Sequence, residues 1–470
     1  MSKHPPGPRG FLQIYRLIQG RKKDVLGLTR TLFKTYGDFL YFKIGQSKVA
    51  VVNDPEIAQL IMQTNAKSFS KGIGYNRFKF LLGDGLLTSE GSQWRRQRLL
   101  CAPAFTRASI EKNFPEILEL VEEMKNEWKE KIKQNGPIEI DLASEMNTLA
   151  LSLISQIMFG SNRKKEAEQI KNSLQKAMKF LDISGKVWVR LLLTNITFNG
   201  KPLLVHWEKR FPSKTTRNFM QAVQELNQVV ESLIEERQKS ETTDQSNDDL
   251  LGRLMAATDE EGKMNKTQLK DEVMTILLAG HETTALALAW TWSLLGTHPE
   301  AKNKIDAELA SVISQGETLQ FSQLDQLKYT KKVFEESMRL HPPFWRVSRR
   351  SLEEVKLGNY TLPKHTDIVI STYTLHRHEK YWENPDSFNP ERMNEEEKKK
   401  RHAFTYIPFG AGPRVCLGEL FAYTEALTAL AMISRDFDFT PLKESIEPEL
   451  SITMKPKGGY PVRLKLKGNP

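Results

Sequence analysis

The strongest constraint on this chain is a run of helical periodicity. From about residue 106 to residue 315, apolar residues recur three and four apart with hardly an interruption, the spacing that lines one face of a helix. The polar break "QKSETTDQSNDD" at 238–249 reads as an exposed loop between two such helices. Ahead of the run, "DFLYFKIG" and "KVAVVND" read as short strands beside the helical "PEIAQLIMQT". From about 345 come short β segments, "EVKLG" and "DIVISTY", then an irregular stretch through 415, a last helix, and a closing strand in "YPVRLKLKG". The pattern predicts a mainly α protein with small β-sheets. No repeat or linker divides it, so residues 1–470 are expected to form one domain, mostly helical over 106–340, with minor β regions in 1–105 and 345–415.

Composition narrows the function classes. With 39% hydrophobic and 27% charged residues the chain can bury a large core, and wholesale disorder is excluded. Cys101 and Cys416 are too few for a disulfide framework, which points to a reducing compartment and to any special cysteine being a ligand or nucleophile. The formal net charge of +10 would suit nucleic acid, an anionic membrane or an acidic protein partner. The charges are interleaved, however, as in "EEMKNEWKEKIKQ" at 122–134, and no basic stripe carries aromatics between its charges, so no nucleic-acid site is expected. The opening "MSKHPPGPRG" offers no apolar stretch for a leader or stable anchor. The nearest approach to a membrane span, Met274 to Leu295, is interrupted by "GHETT" and reads as a buried core helix. A cytoplasmic protein is expected.

Four short motifs carry chemistry. In "FGAGPRVCLGEL", 409–420, Gly410, Gly412 and Gly418 crowd around Cys416. Glycine permits positive φ and lets backbone approach a bound group closely. The apolar pattern just beyond places the cysteine near a helix N-terminus, where N–H groups and the helix dipole favour a thiolate. The loop would suit a nucleophile or a metal ligand; a small buried apolar cysteine is the plainer reading, and the glycines with adjacent Arg414 weigh against it. In "LLAGHETTALA", 277–287, a glycine, Gly280, and an acid, Glu282, interrupt a strongly apolar helix. The glycine costs about 1 kcal/mol relative to alanine, and the acid needs a partner or water. Thr283 can bond back to the carbonyl of residue 279 and distort the helix. Together these describe a proton relay to a bound reactant, or else a helix crossing that wants a glycine, with Glu282 reaching solvent.

In "VFEESMRLHPP", 333–343, Glu336 falls on the apolar stripe of its helix, so it is expected buried with Arg339 as partner and Arg392 of "FNPERM" completing the cluster. That reads as structural. The last motif, "SQWRRQRLL" at 92–100, places Trp94 and Arg98 one helical turn apart and is weak alone.

In this order the four motifs resemble the cytochrome P450 family of haem-thiolate monooxygenases. The family's Phe–x–x–Gly–x–x–x–Cys–x–Gly pattern falls on Phe409, Gly412, Cys416 and Gly418, and its oxygen-activation helix on Ala279, Gly280, Glu282, Thr283 and Thr284. Its Glu–x–x–Arg pair falls on Glu336 and Arg339, and its Trp–x–x–x–Arg element on Trp94 and Arg98; Met393 stands where a phenylalanine is usual. The likeness runs from "PPGPRG" to "YPVRL". It implies one haem b per chain with Cys416 as the axial thiolate, which favours O–O cleavage once dioxygen is bound and reduced. It implies further that Trp94, Arg98, Arg349 and Arg414 hold the propionates, that Phe409, Gly410, Gly418, Ala279 and Gly280 lie against the haem, and that Thr283 and Glu282 organise water and deliver protons. The outcome would be insertion of one oxygen atom of O2 into a C–H bond, or an epoxidation.

No Gly-rich dinucleotide fingerprint or cysteine-rich iron–sulfur pattern is present, so electrons are expected from a separate ferredoxin, flavodoxin or flavoprotein reductase. The resemblance places Phe78, Phe80, Ala279, Phe344, Trp345 and Met454 around a hydrophobic substrate, of the fatty-acid, lipid or terpenoid kind, and gives the run 180–211 as a mobile lid. A haem-thiolate sensor without turnover would keep Cys416 but have no need of Glu282 and Thr283. A helical interaction protein would leave the glycines around Cys416 unexplained.

Overall fold

The computed structural model describes residues 4–9, 24–44, 46–160, 164–183, 197–198, 201–202, 214–240, 249–314 and 316–468. Ten helices frame it: α1 (Val25–Tyr36), α2 (Gly91–Cys101), α3 (Phe114–Asn135), α4 (Leu142–Phe159), α5 (Lys164–Ile183), α6 (Lys214–Ser240), α7 (Lys266–Thr297), α8 (Pro299–Val312), α9 (Lys328–Leu340) and α10 (Glu419–Asp436). The expected loop at 238–249 falls mostly outside the described residues, as does nearly all of the expected lid at 180–211.

Strands come from the two ends of the chain: β1 (Phe39–Ile44), β2 (Ser47–Val52), β3 (Phe69–Lys71), β4 (Ile138–Asp141), β5 (Val347–Ser351), β6 (Thr366–Ile370), β7 (Phe437–Pro441), β8 (Pro448–Leu450), β9 (Met454–Pro456) and β10 (Pro461–Leu466). The largest sheet runs β1-β2-β6-β5-β3, with β6 parallel to β2 and its other neighbours antiparallel. Residues 366–370 thus pair with residues 48–52 across most of the sequence. A second sheet, β7-β10-β4, ties the C-terminus to the strand that precedes α4, and β8-β9 is a separate hairpin.

α7 organises the core. Asn265 and Gln268 close its N-terminus as a capping box, each side chain bonding the other's backbone N–H. Beyond that cap apolar residues occur on every side of the helix, as expected where neighbours cover most of it. It is long and apolar enough to cross a membrane, but 83% of its most apolar stretch is buried within the protein. Gly280 explains one contact closely: a Cβ there would meet Ile154 Cδ1 of α4 at 3.1 Å. This glycine therefore answers a helix crossing. The role expected for it against a cofactor is not needed to account for it.

A second close approach joins the chain ends. Leu60–Thr64 forms one turn of π-helix, and a Cβ at Gly412 would sit 2.0 Å from the Met62 carbonyl oxygen, at φ +69°. No other residue fits there.

Candidate active site

Burial along α7 picks out one strip. Between Asp271 and Trp292, only Ala279, Gly280 and Thr283 escape burial. These positions lie on one helix face. The Thr283 hydroxyl donates to the Ala279 carbonyl at 2.8 Å, the back-bond expected of it. His281, on the buried side, lies 2.6 Å from Asn147 Oδ1, and burial pushes its pKa down to about 4, so it is neutral. Glu282 is buried and forms an ion pair of 2.7 Å with Lys455 of β9.

The cysteine loop is tightly built. The Cys416 N–H donates to the Phe409 carbonyl at 2.9 Å, Val415 N–H to Gly412 at 3.1 Å, and Gly410 N–H to Ile407 at 3.0 Å. Phe409 packs on Tyr423, ring centres 5.4 Å apart. Arg98 of α2 reaches the loop with Nη1 donating to the Val415 carbonyl at 2.9 Å. Gly410 has φ +75°, whereas Gly418 has φ −89° and caps α10. At neither does protein come nearer than 4.0 Å to the place a Cβ would occupy. A Cβ at either would make only ordinary van der Waals contact with the protein.

Cys416 itself is exposed, yet protein surrounds it closely enough that burial raises its pKa, against the Gly418 N–H and Arg98, which lower it. The two observations agree if the sulfur lies on a concave wall. The helix start favours the thiolate, as expected, through the Gly418 N–H, and burial opposes it. Without a metal, burial wins over the helix terminus; a coordinated cation would remove the proton outright.

Beside this loop positive charge accumulates. Arg414 stacks on Trp94, its guanidinium carbon 4.7 Å from the ring centre, and pairs with Glu90. Its Nη1 is buried with no partner. Arg349, in β5, is buried, and burial lowers its pKa, with Tyr75 opposing and Arg414 adding to the effect. Lys71 of β3 stands opposite Arg349 in the sheet register. Its Nζ donates to the Leu86 and Ser89 carbonyls, both at 2.8 Å. Burial, then Arg414, pulls its pKa down to about 7. Arg414, Arg349 and Lys71 thus act on one another, with Glu90 and Glu272 as the carboxylates nearby.

The other expected groups fall in two classes. Glu336 and Arg339 meet, both 0% exposed, in a two-pronged pair with Nε and Nη2 each 2.8 Å from a carboxylate oxygen. Arg392 Nε joins at 3.1 Å. The expected substrate wall is not brought together as a unit. Trp345 (6% exposed) and Met454 (0%) pack with Leu26 and Trp290 in a closed cluster, which leaves them little surface for a ligand. This corrects their placement as lining residues. Phe78 packs against the main core, while Phe80 and Phe344 are 53% and 36% exposed.

The sequence model of a family described as Cytochrome P450 matches residues 5–462. The chain belongs to the cytochrome P450 family. This P450 is 33% identical over 463 residues to the cyclooctatin synthase of Streptomyces melanosporofaciens, a match covering 97% of this chain and 94% of that protein. It is 31% identical to a cytokinin hydroxylase of Arabidopsis thaliana, over 92% of this chain and 82% of the other. The crystal structure of the cytochrome P450DA heme domain superposes with a TM-score of 0.83, covering 99% of this chain and 98% of that one at 24% identity. The protein is therefore a P450 monooxygenase, and its cofactor is haem. The P450 residues that sequence reasoning missed are Lys71, Glu90 and Lys455. None sits in a recognisable motif, and each becomes visible only when strands from distant parts of the chain are placed.

Proposed function

We propose that Cys416 would ligate the haem iron, and that Arg98, Arg349 and Arg414, with Lys71, would hold the propionates. The observation that carries this is the cation excess beside the cysteine loop, with the buried Arg414 Nη1 left without a partner. Trp94 keeps the Arg414 guanidinium in place by stacking. Haem bound there supplies reductive activation of dioxygen. The protein supplies position and protons. Ala279 and Thr283 present the accessible strip of α7 to the reactant, and the Thr283 hydroxyl, held on the Ala279 carbonyl, is the proton donor nearest that strip. Glu282 recharges it.

The substrate is a hydrophobic molecule of the fatty-acid, lipid or terpenoid class. The apolar surroundings of Ala279 and Phe78 support that reading, as do the printed activities of relatives such as the echinocystic acid 23-monooxygenase of Saponaria officinalis, 29% identical over 451 residues. Electrons come from a separate carrier, a ferredoxin, flavodoxin or flavoprotein reductase, docking by charge on the cysteine side. Turnover insensitive to ionic strength would count against that docking mode. The chain acts as one domain, a reading supported by the pairing of β2 with β6 across most of the sequence, and its two free cysteines suit the cytoplasm.

The deciding experiment compares the protein with Cys416→His. Reduced and treated with carbon monoxide, the parent should give the strongly red-shifted Soret band of thiolate-ligated haem, and Cys416→His should bind haem and lose that band. A red-shifted band that survives in Cys416→His removes the assignment. Lauric acid, added as a probe, should displace the water-associated Soret spectrum of the resting protein.

A further inference from the structure

The acid of α7 is held from outside the helix. Lys455 Nζ lies 2.7 Å from Glu282 Oε1, the lysine side chain 27% and the carboxylate side chain 11% exposed. The lysine does not hang on a loose hairpin. Its neighbour Met454 is pinned on both sides: its N–H donates to the Pro343 carbonyl at 2.9 Å, and its carbonyl accepts from Trp290 Nε1 of α7 at 3.0 Å. Two turns of α7 separate Trp290 from Glu282, so β9 is anchored to the same helix that carries the acid. Lys455 thus reaches Glu282 from a fixed backbone, with its own side chain partly in solvent.

We propose that Lys455 is a positioning residue for proton delivery: it keeps the buried Glu282 ionised and turned toward its own partly exposed ammonium group, from which side the carboxylate collects protons for Thr283. This deepens the reading of Glu282 as a proton carrier and rests on it. In each turnover a proton from water binds the Glu282 carboxylate and leaves to the Thr283 hydroxyl as that hydroxyl passes its own to the bound reactant, so both groups end as they began. Lys455 stays charged throughout. A buried carboxyl without a cation would hold its proton instead of passing it on.

The test uses haem-loaded protein with an excess of a surrogate ferredoxin and its reductase, following NADPH oxidation in H2O and D2O. No productive substrate is needed, because forming either hydrogen peroxide or water consumes protons. Lys455→Met is expected to slow the reaction about tenfold, a fraction of what a general acid contributes, with a larger solvent isotope effect and an unchanged carbon monoxide spectrum. Lys455→Arg should restore the rate to within about twofold. The double variant Lys455→Met with Glu282→Gln should be no slower than Glu282→Gln alone. Infrared difference spectra should show a protonated carboxyl stretch in Lys455→Met that vanishes in the double variant. If Lys455→Met fails to take up haem, Lys455→Gln is measured in its place against the same expectations. A slow Glu282→Gln beside a Lys455→Met of normal rate and no new carboxyl band overturns the role of Lys455. A Glu282→Gln of normal rate and isotope effect overturns the reading of Glu282 itself, and the inference with it.

Discussion

Two buried charge clusters in this P450 are built on opposite principles. Around Glu336 every charge is answered within the protein: Arg339 spends Nε and Nη2 on the carboxylate and Nη1 on the His376 and Pro385 carbonyls at 2.8 and 2.6 Å. Arg392 and the Asn389 N–H, at 3.1 and 3.0 Å, complete the Glu336 Oε1 shell. Around Arg414 the balance is left open, with Lys71 and Arg349 beside it, Glu90 as counterion, and one guanidinium nitrogen unpartnered. A closed cluster fixes a fold; an open one costs stability until its missing partner arrives. The difference is the basis for reading one arginine-rich cluster as scaffold and for proposing the other as a binding site.

The largest effect should come from opening the closed cluster. Glu336→Ala leaves Arg339 buried and uncompensated, and should cost about 3–5 kcal/mol in urea unfolding. If it costs under about 1 kcal/mol, the two clusters do not differ in kind. Next, Arg414→Ala should release haem at least about tenfold faster, equivalent to about 1.4 kcal/mol, while the haem-free protein unfolds at the same or higher urea concentration. A smaller effect concerns pH. Lys71 titrates near 7 when folded, against 10.5 unfolded, so between those values the unfolded chain binds the extra proton and stability rises with pH. The haem-free protein should therefore gain stability as pH rises above 7, with the slope reduced by haem or by Lys71→Met. Least of all, Glu391→Ala, which removes exposed pairs with Lys304 and Lys332, should change stability by only a few tenths of a kcal/mol.

Much of this comparison was legible in the sequence, but unevenly. The closed cluster could be anticipated because Glu336 falls on the apolar stripe of α9, and a carboxylate there needs a cation one turn away. The helical run, the switch to β structure after 345 and the back-bonded Thr283 follow equally from local spacing. The open cluster could be read only in part. Lys71 and Arg349 become neighbours through β3–β5 pairing, at a sequence distance over which no periodicity speaks. Lys455 meets Glu282 for a similar reason. Direction was also hidden: the apolarity of Trp345 and Met454 is plain in the sequence, but which side of their strand and loop faces a ligand is not. At Cys416 the helix terminus is visible in the sequence and the burial that opposes it is not.

The seating of Gly412 on the Met62 carbonyl also says when this site can be completed. A contact between residues 62 and 412 closes a loop of most of the chain, so the cysteine loop cannot reach its final shape until the N-terminal sheet is in place. On the ribosome the N-terminal segments emerge first and wait for a partner far downstream in the chain. A chain truncated shortly before residue 412 would carry nearly every helix described for the fold and would leave the Met62 carbonyl without the glycine that packs on it.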